Sequence, residues 1–141
     1  MKIYEQVLQV KPDDLDELNH VNNVRYVQWV NDVAKAHWSK LATQDMLQNY
    51  FWVLINHHIA YKNQAVLNDN MLLKTFVKSS EGVTSSRIVE IYNNDTQKLL
   101  ASSETKWCFM SVKSKKPMRI TPEIINLFHV FILIVFFNGH M

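Results

Sequence analysis

The sequence predicts an α+β fold in which one antiparallel sheet covers one long helix. Three observations predict it. Apolar residues recur at helical spacing from Asn23 to about Leu41. Four later segments, rich in β-branched and aromatic residues, are separated by turn residues. An opening stretch, residues 3–10, also reads as a strand. The chain has 141 residues, of which 48% are hydrophobic and 20% charged, so it can bury an ordinary core and is too apolar for disorder. A helix flanked by strands in this order must be covered by their sheet. No repeat, linker or low-complexity stretch divides the chain, so residues 1–141 read as a single domain.

Each element follows from local pattern. Pro12-Asp13-Asp14 ends the first strand. Val24, Val27, Val30, Ala34, Trp38 and Leu41 form one apolar stripe on the long helix, and Asn22 or Asn23 is its expected N-cap. Residues 51–61 read as a strand, and Asn68-Asp69-Asn70 as a turn. In 71–78, Met71, Leu73, Thr75 and Val77 share one face, with Lys74 and Lys78 on the other. Ser79 to Ser85, with Gly82 inside, reads as a hairpin loop. A strand over 86–92, a turn at Asn93-Asn94-Asp95-Thr96 and a strand over 98–110 complete a four-strand meander. On the last strand Leu99, Ala101, Trp107 and Phe109 share a face. Thr121-Pro122-Glu123 is a helix start. The apolar run from Leu127 to Phe137, inside an atypical tail over 127–141, is too short to span a bilayer, which takes about 20 helical residues. It is expected to be buried in the core or in an interface.

Composition excludes several function classes. Lys and Arg number 15 against 13 Asp and Glu, a net charge of +2, which is too mild and too scattered for a nucleic-acid partner. Two glycines, Gly82 and Gly139, cannot supply a dinucleotide fingerprint or a P-loop. The single cysteine, Cys108, excludes an internal disulfide and a multi-cysteine zinc site, and a lone thiol fits the cytoplasm. No secretory signal is visible at the N-terminus.

The chemistry-bearing stretch is residues 13–29, where Asp13, Asp14, Asp16, Glu17, Asn19, His20, Asn22 and Asn23 crowd the approach to the helix. Asp16 offers a carboxylate for base or nucleophile work. His20 offers an imidazole for proton transfer. The helix N-terminus at Asn23 and Val24 offers free N–H groups for a developing oxyanion. The same residue types also serve as ordinary caps and turns.

Asp16-x-x-x-His20-Val21-Asn22-Asn23-x-x-Tyr26-x-x-Trp29 resembles the signature of hotdog-fold acyl thioesterases of the 4-hydroxybenzoyl-CoA thioesterase-like and acyl-ACP thioesterase-like groups. Tyr61 and Ala65-Val66-Leu67-Asn68-Asp69 resemble the family's second stretch, and the likeness covers about residues 3–125. It implies a hotdog fold, an antiparallel sheet wrapped around the central helix, assembled as a homodimer or homotetramer with the site at the dimer interface. It implies hydrolysis of a fatty acyl thioester, carried by coenzyme A or acyl carrier protein, without a metal or other cofactor. Asp16 takes the catalytic carboxylate position, as base or nucleophile. His20 assists, Asn23 belongs to the catalytic set, and Asn22, Val24, Tyr26 and Gln64 fall at oxyanion or substrate-binding positions. Three residues depart from the plant-type pattern: Leu18 replaces an Asn, Asn19 a Gly, and Gln64 an acid. Leu18 and Gln64 keep open a second reading, a non-catalytic protein that binds or scaffolds acyl thioesters.

The remaining chemistry-bearing residues have plainer readings. His57 and His58 alternate on a strand and face opposite sides. His37 reads as helix packing, and Cys108 as a small core or surface residue. Trp29, Trp38, Phe51 and Trp52 read mainly as core, with some available to line an acyl channel. Lys113, Lys115, Lys116 and Arg119 form a basic run that is either solvated or faces coenzyme A phosphates or an acidic carrier protein.

Overall fold

A computed structural model describes residues 1–129. Strand β1 (Tyr4–Gln9) leads through a single 3-10 turn (Pro12–Asp14) to helix α1 (Asn23–Leu41) and the short helix α2 (Gln44–Asn49). Strands β2 (Tyr50–Tyr61), β3 (Asn70–Glu81), β4 (Thr84–Asn93) and β5 (Leu99–Ser111) follow, and helix α3 (Pro122–Leu127) closes the described chain. The five strands form one antiparallel sheet in the order β1-β3-β4-β5-β2. This is the α+β architecture the pattern predicts, one long helix against an antiparallel sheet.

The strand order corrects the expected meander. Only β3, β4 and β5 are sequential neighbours; β2 pairs with β5 at the far edge. The 62–69 connection therefore carries the chain from the end of β2 to the start of β3, past the approach to α1. The expected loop from Ser79 to Ser85 is also shorter. β3 runs to Glu81 and β4 resumes at Thr84, so the turn is Gly82-Val83, with Gly82 at φ 62°. A register shift between Val77 and Ser79 lets the serine-rich ends stay paired, and Ser80 Oγ donates to Ser85 Oγ at 3.3 Å. Helix α2 has no counterpart in the sequence reading. It is a six-residue helix capped by Thr43, which accepts from the Met46 N–H, and it buries one residue, Met46.

The buried face of α1 is rotated from the expected stripe. Tyr26, Trp29, Val30, Val33, Ala34 and His37 face the core, whereas Val24 is 70% exposed. The aromatic rings outweigh the valines in apolar area and set the orientation. Tyr26, Trp29, Val30 and Val33 form one cluster with Met71, Leu73, Val89, Ile91 and Ala101 from the sheet. A second cluster joins Met46, Val77, Phe109, Ile120, Ile124 and Phe128, so α3 covers the other end of the sheet. On β5 the expected parity holds at Ala101 and Phe109, while Leu99 and Trp107 are half-buried. Among the described residues no helix is long and apolar enough to cross a membrane. The apolar run is described as far as His129; its continuation to Phe137 lies outside the described residues.

Candidate active site

The acids before α1 divide into anchors and one poised side chain. Asp14 is an anchor: Oδ2 accepts from the Lys11 N–H at 2.8 Å, Oδ1 lies 3.3 Å from Arg25 Nε, and its carbonyl accepts from the Asn22 N–H at 2.8 Å. Asp13 contributes its carbonyl to Arg25 Nη2. These contacts tie the loop to the first turn of the helix. Asp16 closes a second, tighter ring. Its N–H donates to the His20 carbonyl at 2.8 Å, and its Oδ1 accepts from the N–H groups of Leu18 at 2.9 Å and His20 at 3.1 Å. Asn19, at φ 61°, supplies the left-handed residue this ring requires; asparagine tolerates that conformation better than other non-glycine residues. Asp16 Oδ2 has no hydrogen-bond partner among the described residues.

The 62–69 connection packs across this ring. The Val21 N–H donates to the Ala65 carbonyl at 3.0 Å, and His20 and Val66 form an isolated bridge. The Lys62 and Asn63 N–H groups donate to the Leu100 carbonyl, and Asn63 Nδ2 donates to the Leu99 carbonyl at 2.7 Å. Leu100 lies where the β4–β5 register shifts, so its carbonyl is free to hold the connection.

Between the two segments lies a cleft of about 290 Å³. Asp16, His20, Asn23, Tyr26 and Gln64 line it together, with Leu18, Tyr61 and Asn63. Asn22 and Val24 do not. Asn22 is the helix cap, and its Oδ1 accepts from the Val24 N–H at 3.0 Å. The expected pair of oxyanion donors is thereby reduced to one, because the Val24 N–H is already engaged. The Asn23 N–H has no acceptor among the described residues and lies at the positive end of α1. Tyr26 is buried edge-on to Trp29 and to Tyr61, whose hydroxyl donates to the Asn23 carbonyl at 3.4 Å. Burial raises the pKa of both phenols, so both stay protonated near neutrality.

The cleft therefore gathers Asp16, His20 and Asn23, the first residue of α1, around one open space. That set can activate water and hold a developing negative charge. Sequence reasoning missed Asn63 as a lining residue, because its place depends on the crossover to the sheet edge. Tyr61 was visible only as part of a motif; its position as the last residue of a strand followed by the connection was the available signal. Elsewhere, His57 Nε2 lies 2.9 Å from Ser103 Oγ, and His58 is exposed on the opposite face. Cys108 is a half-buried free thiol, and Lys113, Lys115, Lys116 and Arg119 are exposed. Among the described residues, no three His, Cys, Asp or Glu side chains gather in a way that would hold a metal ion.

Comparison with known proteins supplies the family context for this geometry. The thioesterase-like superfamily matches the chain over residues 10–128. No curated protein matches it by sequence. Among solved structures, YbaW, a probable thioesterase from Escherichia coli, superposes with a TM-score of 0.75 at 22% identity, covering 87% of this chain and 94% of that one. Slr0204, a 1,4-dihydroxy-2-naphthoyl-CoA thioesterase from Synechocystis, gives 0.76 at 18% identity, covering 92% and 100%. The 12:0-ACP thioesterase from Umbellularia californica gives 0.77 at 12% identity, covering 92% of this chain and 51% of that one. These likenesses establish the shared fold.

Proposed function

The chain belongs to the thioesterase-like superfamily, and from that premise we propose that it hydrolyses a fatty acyl thioester of coenzyme A or acyl carrier protein to free acid and thiol. One observation carries the reading: the cleft at the start of α1 is lined together by Asp16, His20 and Asn23. In this reading the thioester carbonyl oxygen approaches the Asn23 N–H, where the helix terminus stabilises the charge that builds on it. Asp16, oriented through Oδ1, uses Oδ2 either to take a proton from attacking water or to attack the carbonyl itself. His20 passes a proton to the departing sulfur. The carbon–sulfur bond breaks, and water supplies the acid's oxygen and the thiol's proton.

The edge strand β2 supports assembly of two copies. Phe51, Val53, Leu54, Ile55 and Tyr61 on this strand are 37–50% exposed, an apolar edge that a monomer would leave open to aggregation. Tyr61 lies both on this edge and in the cleft, so pairing through β2 would place the cleft at the interface. The experiment is free-thiol release from acyl thioesters of graded chain length, on both coenzyme A and carrier protein. Turnover on one of these series is expected. Tight acyl-CoA binding without thiol release would favour the non-catalytic binding protein, the reading to which Leu18 and Gln64 point.

A further inference from the structure

Arg87 is the charged residue of the described chain that is most at odds with its surroundings. It stands on β4 in phase with Val89 and Ile91, facing the core, and is 6% exposed. Its Nη1 donates to His37 Nδ1 at 2.9 Å and to Thr75 Oγ1 at 3.0 Å. The Phe128 ring lies 5.5 Å from the guanidinium carbon. All three partners are uncharged near neutrality: burial, with the charges of Arg87 and Lys2, lowers His37 to about 4. The ion pairs among the described residues are Arg25–Asp14 and Lys78–Glu104, so no described carboxylate balances Arg87. The other N–H groups of the guanidinium fork have no acceptor among the described residues. A buried charge left without a counter-ion is costly, and burial alone draws the Arg87 pKa down to about 10.

Arg87 lines a cavity of about 210 Å³ walled by Trp38, Phe51, Trp52 and Trp107, with the exposed Lys35 also on its lining. Helix α1 contributes Ala34, Lys35 and Trp38 to this space. Ala34 lies roughly 16 Å further along the helix than Asn23, so the cavity is separate from the cleft. An aromatic chamber with one fixed, unbalanced planar cation favours an apolar body that ends in a carboxylate, which the guanidinium can grip through paired charge-assisted hydrogen bonds. We propose that this cavity is a binding site for an apolar carboxylic acid, with its carboxylate on Arg87 and its hydrocarbon or aryl body between the tryptophans. The site goes beyond the proposed hydrolysis and does not depend on it. The carboxylate has two possible sources, a free acid or a second carboxylate at the far end of an acyl group.

The test is calorimetric titration of the full chain with octanoate and with octanamide, its neutral isostere, alongside tryptophan emission. The wild type is expected to bind octanoate at least about tenfold more tightly than octanamide. Arg87→Met should abolish that preference. Ala34→Leu, which keeps Arg87 but fills the chamber, should weaken both ligands. Equal binding of acid and amide by the wild type, or an unchanged preference in Arg87→Met, would overturn the proposal. Circular dichroism checks folding; if Arg87→Met does not fold, undiminished octanoate binding by Ala34→Leu overturns it instead. Turnover separates the sources. If the substrate supplies the carboxylate, Arg87→Met lowers kcat/KM for an ω-carboxyacyl-CoA relative to the plain acyl-CoA of equal length. If a free acid is the ligand, that ratio is unchanged while octanoate binding falls. An absence of hydrolysis would count against the proposed function and leave the calorimetric result standing.

Discussion

Asp16 lies just before helix α1 and His37 within it, and their surroundings set opposite tasks. Asp16 is half-buried and lines a cleft, with one carboxylate oxygen held by two backbone N–H groups and the other without a partner among the described residues. His37 is 2% exposed, stacks on Tyr4 and accepts from Arg87. Its pKa of about 4 lies below the ordinary 6.5, chiefly through burial. Between those values the unfolded chain binds a proton that the folded chain refuses, so stability is full above about pH 6.5 and falls as the pH drops toward 4. The loss from this group is about 2 kcal/mol once solvent screening is allowed for, and His57, also lowered by burial, acts in the same direction. Urea midpoints at pH 7 and pH 4.5 check this: the wild type should lose stability on acidification, and His37→Gln should lose distinctly less. The chemistry of Asp16 was legible in the sequence as a carboxylate four residues before His20, and Asn19 as a residue suited to positive φ. The burial of His37 beside Arg87 was not, because the two are brought together only when α1 packs against β4 of the folded sheet.

At the scale of elements, the N-terminus of α1 was readable to within one residue, with Asn22 or Asn23 as the expected cap. Asn22 caps it, with its side chain on the Val24 N–H. Asn22→Ala should cost about 1 kcal/mol of stability and, by loosening the turn that presents Asn23, lower kcat more than it raises KM; thermal unfolding and steady-state kinetics measure the two effects. The face of the helix was less legible. Periodicity fits both the valine stripe and the Tyr26-Trp29-Val33-His37 face, and only packing against the sheet chooses between them. Helix α2 leaves no signal in the sequence because a six-residue helix has too few positions to show a period. Arg87 did leave a signal: it alternates in phase with Val89 and Ile91, and an arginine in phase with core positions marks a charge that the fold must accommodate.

For the whole molecule, the class and element order followed from local pattern, but the placement of β2 beside β5 did not, because strand order depends on contacts between distant segments. That placement creates both the 62–69 crossover that builds the cleft and the open apolar edge. Val53→Lys combined with Ile55→Lys should convert an assembled species to monomer, measured by sedimentation velocity, since charges on an edge strand oppose pairing. An unchanged mass would show that β2 is not the interface. The central claim rests on one carboxylate, and thiol release by Asp16→Asn tests it most directly. The variant should fold, bind acyl-CoA about as tightly as the wild type, and turn over at least about 10²-fold more slowly. Hydrolysis by that variant at the wild-type rate would contradict the account.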